Sequence, residues 1–485
     1  MSMQKSEGLI SYKTVHESYL RQRRLKGSAG TFLLWGLGVG AVISGDFYGW
    51  NYGLIAGGFW GLAIATFLMA IMYLCMVYSL AELSTALPHA GGLYSFTRNA
   101  FGPYWGFICG VVVTTEYVLA TSALVYSMSH SIKPLMPIVP SYLVWLLAYS
   151  IFVAITIQSL ELTLSVSLFL TLLAIMVLSI FYLSMLGAGI FHAEFLFNVP
   201  ANPGESATWL PKGWQGIFAA LPYAIWFYLA IEMLPLASEE TDNVPKHMPA
   251  ALILGMFTLI ILSVFTLVLN SGVGGGAQVI GQSKVPLGEG LEAYFGQGSI
   301  SILVTAIALT LGLAASLPTQ IYAYGRILFA LSRAGYLPDW ISITGKNYTP
   351  YRALLLGAVV GLVCVILIDQ GNDSVDAVLL NMAVFGALIS YILAMLSYIK
   401  LKFSRPDLPR PYESPLGNIG AAIGAILAIF AFVACFLVPE YQPGILGIGI
   451  VLIVATVYYF IFSRNRLVAQ APEEATALMI TRFLK

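Results

Sequence analysis

Three acidic residues lie inside long apolar runs of this 485-residue chain: Asp46, Glu116 and Glu232. Each sits among side chains that offer it no water. An acid at the centre of a membrane helix costs about 2.5–3.5 kcal/mol on insertion scales, so it needs a cationic partner, a proton or a cargo that compensates it. Asp46 belongs to Gly38-Val-Gly-Ala-Val-Ile-Ser-Gly-Asp-Phe-Tyr-Gly-Trp-Asn51, where glycine and serine recur too often for a continuous helix. Each interior glycine costs up to about 1 kcal/mol against alanine. Glu232 belongs to Leu221-Pro-Tyr-Ala-Ile-Trp-Phe-Tyr-Leu-Ala-Ile-Glu-Met-Leu-Pro235, where two prolines bracket a cluster of aromatics. Proline removes a backbone hydrogen bond and clashes with the preceding turn, so a second interrupted helix is expected here. Broken helix is tolerated in a bilayer only where protein or a watery cavity satisfies the freed backbone groups. Two broken stretches, each with an acid, predict a binding site for something positively charged. The aromatics beside them, Phe47, Tyr48, Trp50, Trp226, Phe227 and Tyr228, include candidates to face an ammonium, a contact worth about 0.5–2 kcal/mol.

The elements that must position these residues are membrane helices. The chain is 59% hydrophobic and 9% charged, with mean hydropathy +0.84, which excludes a water-soluble globule. Apolar blocks of the length that crosses a bilayer core recur along it. Twelve are predicted, at 31–52, 57–83, 103–130, 141–158, 163–190, 215–243, 248–271, 299–330, 352–369, 376–400, 418–438 and 443–463. Of the 23 Lys and Arg residues, 20 fall in even-numbered loops or the two tails and only Lys133, Lys212 and Lys284 in odd-numbered loops. The positive-inside rule then puts both termini in the cytoplasm. Gly53, Gly57 and Gly61 have the spacing of a close helix contact. The connection from Ser271 to Gly298 is long enough for a short helix, but no connection has room for a further folded domain.

The remaining polar residues are assigned no chemistry. Glu82, Glu161, Asp369 and Asp376 fall at span ends and are expected to be solvated, while Arg326 and Arg333 are expected to snorkel. His16, His89, His130, His192 and His247 are expected at the periphery, so no histidine relay threads the membrane. Cys75, Cys109, Cys364 and Cys435 have no ligand-like spacing and read as free thiols. No Gly-x4-Gly-Lys-Ser/Thr phosphate loop occurs, which argues against an ATP-driven pump. Neither an enzyme activity nor a cofactor, metal or nucleic-acid partner is expected.

Four stretches carry a family resemblance: "ISGDF" in span 1, "AELSTALPHAGGLYSFTRNAFGPYWGF" between spans 2 and 3, "ASEETDNVPKHMP" after span 6 and "YGRILFALSRAGYLP" at the end of span 8. They resemble the amino acid–polyamine–organocation transporter superfamily, in family order from about residue 30 to 350. "SGDFYGWNYGL" is most similar to its ethanolamine permease branch. The resemblance implies an all-α membrane protein of 12 transmembrane helices, with five-helix inverted repeats at 31–190 and 215–400. An external loop at 191–214 would join them. A cytoplasmic segment 1–30, helices 11 and 12 at 401–463 and a cytoplasmic tail at 464–485 complete the layout. Matching interrupted helices in the two halves point to the substrate site of such a carrier. In the family the first break holds a substrate carboxylate on backbone N–H groups. Here Asp46 replaces an apolar residue of that motif and Ile43 its first glycine, while Ala230 stands where relatives often have glycine.

An ionised carboxylate at the break repels another and attracts a cation, so the expected cargo is a small organic amine; the resemblance implies ethanolamine foremost, imported by alternating access. The expected substrate contacts are Ile43, Ser44, Gly45, Asp46, Phe47, Trp226, Phe227, Leu229 and Glu232, with Glu232 and Glu116 as coupling residues. Two other classes stay open: a permease for neutral or cationic amino acids, and a transporter-like amine sensor. The expected surroundings are the lipid bilayer of a cell membrane, a bacterial inner membrane, with protons a candidate coupling partner. One charge crossing 100 mV is worth about 2.3 kcal/mol, roughly a 50-fold gradient, so a cationic amine accumulates without a coupling ion. Span 5 offers no lysine, and Ser316 and Thr319 are weak candidates for sodium contacts.

Overall fold

The computed structural model describes residues 4–7, 10–13, 19, 22–23, 25–371 and 373–468; side chains of 4–13 and 373–377 fall outside the description. Of the residues discussed above, His16 and the side chain of Asp376 therefore lie outside the described residues. The chain is a bundle of helices: α1 (Thr31–Val42), α2 (Tyr52–Ala86), α3 (Leu93–Phe101), α4 (Pro103–Ile132), α5 (Ser141–Gln158), α6 (Leu160–Gly187), α7 (Gly213–Ala224), α8 (Val244–Phe265), α9 (Gly276–Ile280), α10 (Pro286–Phe295), α11 (Ser299–Arg333), α12 (Tyr351–Gln370), α13 (Asp373–Ser404), α14 (Gly417–Leu437) and α15 (Gln442–Ile461). Among the described residues, eleven helical segments are long and apolar enough to cross a membrane. The first expected span is instead the shorter apolar helix Thr31–Asp46, because its winding tightens over Ile43–Asp46 and then stops.

The bundle is held by small residues on its inner faces, and large apolar ones face outward. α14 buries Gly420, Ala421, Gly424, Ala425, Ala428 and Ala431, while Ile419, Ile423, Ile426 and Phe430 are exposed. A side chain at Gly424 would meet Cys75 Cβ of α2 at 3.0 Å, so α14 and α2 pack nearly backbone to backbone. Gly57 does the same against α7: a Cβ there would lie 2.7 Å from the Gly216 carbonyl oxygen. Lipid gives no hydrophobic drive between helices, and such close contacts supply the van der Waals energy instead. The 271–298 connection carries α9 and α10, and Asn198 pins the 191–214 loop to it by accepting from Gln278 N and donating to the Gly275 carbonyl. At the other end, strands β1 (Gln4–Glu7) and β2 (Ile10–Lys13) pair antiparallel, and β2 pairs parallel with β3 (Leu467–Val468).

Several charged residues expected at the rim are instead buried and paired at the end of the bundle that carries the termini. Glu82 is fully buried and accepts from Lys402 Nζ (2.7 Å), Tyr398 (2.6 Å) and the Ser414 amide (2.8 Å), with Arg410 Nε 2.9 Å away. Arg326 and Arg333 do not snorkel. Arg326 grips Glu240 through Nε and Nη2 at 2.7 and 2.6 Å, and Tyr322 donates to the same carboxylate. Arg333 binds Glu239 and also donates to His89 Nε2 at 2.7 Å, so His89 is buried rather than peripheral. The N-terminal segment lies across this cluster: Ser28 and Ala29 amides donate to the Glu240 carbonyl, and Ala29 bridges Thr241. The physical reason is burial: a charge taken from water survives only when fully paired. By contrast Glu161, Asp369, His130 and His192 are exposed, as expected for span ends and periphery.

Ala230 adopts φ +85°, a left-handed conformation in the second broken stretch. For an L-residue this costs roughly 1–2 kcal/mol. Ala230→Gly should therefore preserve or raise the thermal unfolding midpoint, and Ala230→Val should lower it. Fluorescence-detected size-exclusion after heating checks this; equal behaviour of the two variants contradicts it.

Candidate functional site

Both interrupted stretches form where the sequence places them. The first runs from Ile43 through Asp46 as a tight 3-10 turn, and the chain then leaves it by a glycine at φ +97°, Gly49. The second leaves α7 through a 3-10 turn at Ile225–Phe227, passes Ala230 and continues as a 3-10 winding over Ile231–Glu240. The two touch through their backbones. A Cβ on Gly45 would lie 1.9 Å from the Trp226 carbonyl oxygen, and one on Gly49 would lie 2.9 Å from the Trp226 ring. Only glycine admits that approach.

α11 satisfies the freed backbone of the first break. Ser316 Oγ donates to the Gly40 carbonyl at 2.6 Å and accepts from the Ser44 amide at 3.3 Å, and Gln320 Nε2 donates to the Ala41 carbonyl at 3.2 Å. Thr319 donates to the Ser316 carbonyl at 2.6 Å. From α6, Thr171 donates to the Gly36 carbonyl at 2.9 Å. Between the breaks lies a small cavity of about 20 Å³, room for little more than one water. Ser44, Gly45, Tyr48, Trp226, Leu229 and Gln320 line it, with Ala120 and Leu124 of α4 behind. It carries one clear polar vacancy: Oε1 of Gln320, a residue 4% exposed, has no hydrogen-bond partner.

Of the nine expected contact residues, Ser44, Gly45, Trp226 and Leu229 meet at this cavity. The other five do not line it. Ile43 and Phe47 belong to an apolar cluster with Leu178 and Phe181 of α6, and Phe227 stacks on Trp50 at 5.3 Å. Asp46 is fully buried and turns to α8, where Thr266 Oγ1 donates to its Oδ1 at 2.8 Å. Glu232 turns to α4, where Tyr117 donates to its Oε1 at 3.3 Å. There it faces the carboxyl of Glu116 within interaction range, beside Tyr391 of α13, which bonds Tyr73 of α2 at 3.2 Å. Gln320 and Tyr48 are the polar lining residues absent from the expected set. The signal for Gln320 was present: Ser316, Thr319 and Gln320 put three polar side chains at helical spacing in the otherwise apolar stretch Leu311–Ile321.

Known proteins match this architecture over nearly its whole length. The family described as amino acid permease matches residues 30–462. The branched-chain amino acid permease BcaP of Bacillus subtilis is 26% identical over 472 residues, covering 92% of this chain and 94% of its own. The methylthioribose transporter of the same organism is 22% identical over 470 residues, 92% of this chain and 95% of its own. The human cystine/glutamate transporter is 27% identical over 420 residues, 81% of this chain and 77% of its own.

The Gly45 contact gives a direct test of the paired breaks. Gly45→Ala should push them apart and cost roughly 1–3 kcal/mol in stability, as overpacking does. Gly187→Ala, where a Cβ meets nothing within 4 Å, should be silent. Equal thermal midpoints for the two variants would contradict the contact.

Proposed function

This chain belongs to the amino acid permease family, and from that premise we propose that it is a secondary transporter importing a small organic amine, with ethanolamine the foremost candidate. The observation that carries this reading is charge balance. Asp46, Glu116 and Glu232 are each 0% exposed, and among the described residues none forms an ion pair with Lys, Arg or His. The buried arginines Arg23, Arg326 and Arg333 sit together at the terminus-bearing end, two of them committed to Glu239 and Glu240. No basic side chain lines the cavity. Charge interactions strengthen as the effective dielectric falls. A centre with an excess of acid therefore disfavours an anionic cargo and favours a cationic one, and Gln320 Oε1 supplies an acceptor for a hydroxyl or ammonium donor.

In this reading the substrate sits between the first and second breaks, on Ser44, Gly45, Trp226, Leu229 and Gln320, with Asp46 close behind. The cavity has room for little more than a water, so loading needs the repeats 31–190 and 215–400 to rock apart and expose it to one side at a time. Glu116 and Glu232 share a proton that couples to this movement. Sodium is not required, because the membrane potential alone drives accumulation of a cationic amine. The protein sits in a bacterial inner membrane with both termini in the cytoplasm.

One specific observation favours a second reading. A full-length relative is named as a branched-chain amino acid permease, and apolar Ala41, Val42, Leu124 and Leu229 make much of the cavity wall. Uptake into proteoliposomes separates the two. Labelled ethanolamine should enter, unlabelled ethanolamine should compete, and leucine and lysine should not. Asp46→Asn, which deletes charge and keeps shape, should reduce uptake about tenfold or more, since hydrogen bonds to charged groups are worth about 1.5–3 kcal/mol. Leucine uptake unaffected by ethanolamine, or wild-type ethanolamine uptake by the folded Asp46→Asn protein, would overturn the amine reading or remove Asp46 from it.

A further inference from the structure

Asp46 follows Gly45 in the chain, yet its side chain leaves the cavity and meets α8 where that helix changes its winding. Over Thr266–Asn270 the chain runs as a π-helix. Such insertions re-aim side chains and often mark functional sites. Thr266 Oγ1 donates to Asp46 Oδ1, and the Tyr182 hydroxyl of α6, which also donates to the Leu262 carbonyl at 3.4 Å, lies 2.6 Å from Thr266 Oγ1. Among the described residues, Asp46 Oδ2 has no hydrogen-bond partner. One turn on from Thr266, and on its face of α8, Asn270 is 0% exposed with neither amide atom paired, and the adjoining Ser271 is equally buried with an unpaired hydroxyl. Each buried polar atom left unmade costs about 1–3 kcal/mol. Packing alone gives no reason for several of them to gather on one turn of an apolar helix beside a carboxylate.

The chemistry of the cluster is specific. It offers Asp46 Oδ2, Asn270 Oδ1 and the Thr266 hydroxyl oxygen as acceptors, one of them anionic. A primary ammonium carries three N–H donors at tetrahedral angles and a positive charge. A quaternary ammonium has the charge but no donor, and would leave the same oxygens unmade. The cluster lies on the π-helical turn that follows α8 and leads into the 271–298 connection.

We propose that Asp46, Thr266 and Asn270 form a receiving site for a primary ammonium group, separate from the cavity between the breaks. The site rests on the amine reading above and adds to it an element, α8, and two selecting residues. The Thr266 hydrogen bond occupies Oδ1 and leaves Oδ2 for the ligand.

Direct binding to the purified full-length protein tests this with labelled methylammonium, which is a head group and nothing more. Wild type should bind it, ethanolamine should displace it, and tetramethylammonium should not. Asn270→Leu should weaken methylammonium binding about tenfold, the loss of about 1.4 kcal/mol. Thr266→Val, nearly isosteric, should weaken it at least severalfold should the leucine variant fail to fold. Gly187→Ala, where a Cβ meets nothing within 4 Å, should leave methylammonium binding within about twofold of wild type. Folded Asn270→Leu or Thr266→Val protein that binds methylammonium as wild type does, or tetramethylammonium that competes equally, would overturn the site and leave the amine reading standing. A wild type that binds leucine but neither amine would overturn both.

Discussion

The structure depends on one backbone contact, that of Gly45 with the Trp226 carbonyl. Two helices that stop inside a membrane expose peptide groups that lipid cannot satisfy. Here each interrupted stretch is brought against the other, and α11 reaches across with Ser316 and Gln320 to take up the carbonyls that α1 releases at Gly40 and Ala41. Because those carbonyls are held by hydroxyl and amide side chains rather than by helix, the breaks can persist without unravelling their flanks. Gln320 also walls the cavity, so a group that makes the break tolerable shapes the site as well.

Charge follows a division of labour along the bundle. At the terminus-bearing end, Glu82, Glu239 and Glu240 are matched by Lys402, Arg410, Arg333 and Arg326, and the N-terminal segment ties into the last two. Removing one partner from such a buried pair costs about 3–5 kcal/mol, which makes the cluster a firm closure at that end. In the middle, Asp46 and Glu232 each accept from a hydroxyl, and among the described residues neither they nor Glu116 form an ion pair with a cation. Buried acids of one kind stabilise a closed end. Those of the other kind carry no paired countercharge among the described residues, and the proposed cationic cargo rests on that imbalance.

Much of this was legible in the sequence, for physical reasons. The breaks could be found because Gly38, Gly40, Gly45, Gly49, Pro222 and Pro235 are poor helix formers wherever they fall. The acids could be found because charge is rare in apolar runs. Direction could not be found. Successive residues of a tight turn point roughly 100–120° apart, so Gly45 faces the cavity while Asp46 beside it faces α8, and no local pattern distinguishes them. Pairing across long sequence distance was equally hidden: Glu82 with Lys402, and Arg326 with Glu240, were read as solvated or snorkelling because their partners are on other helices. Ala230 was visible as a departure from glycine, but only the fold shows that it must adopt φ +85°.

The central claim is that the protein carries net positive charge inward with its substrate, and current measures that directly. Proteoliposomes holding the full-length protein, in sodium-free buffer at fixed pH, should show an ethanolamine-dependent inward positive current. Accumulation should grow roughly tenfold for each ~60 mV of imposed potential, as one elementary charge requires. Electroneutral ethanolamine uptake, or a current that appears only when sodium is supplied, would contradict the account.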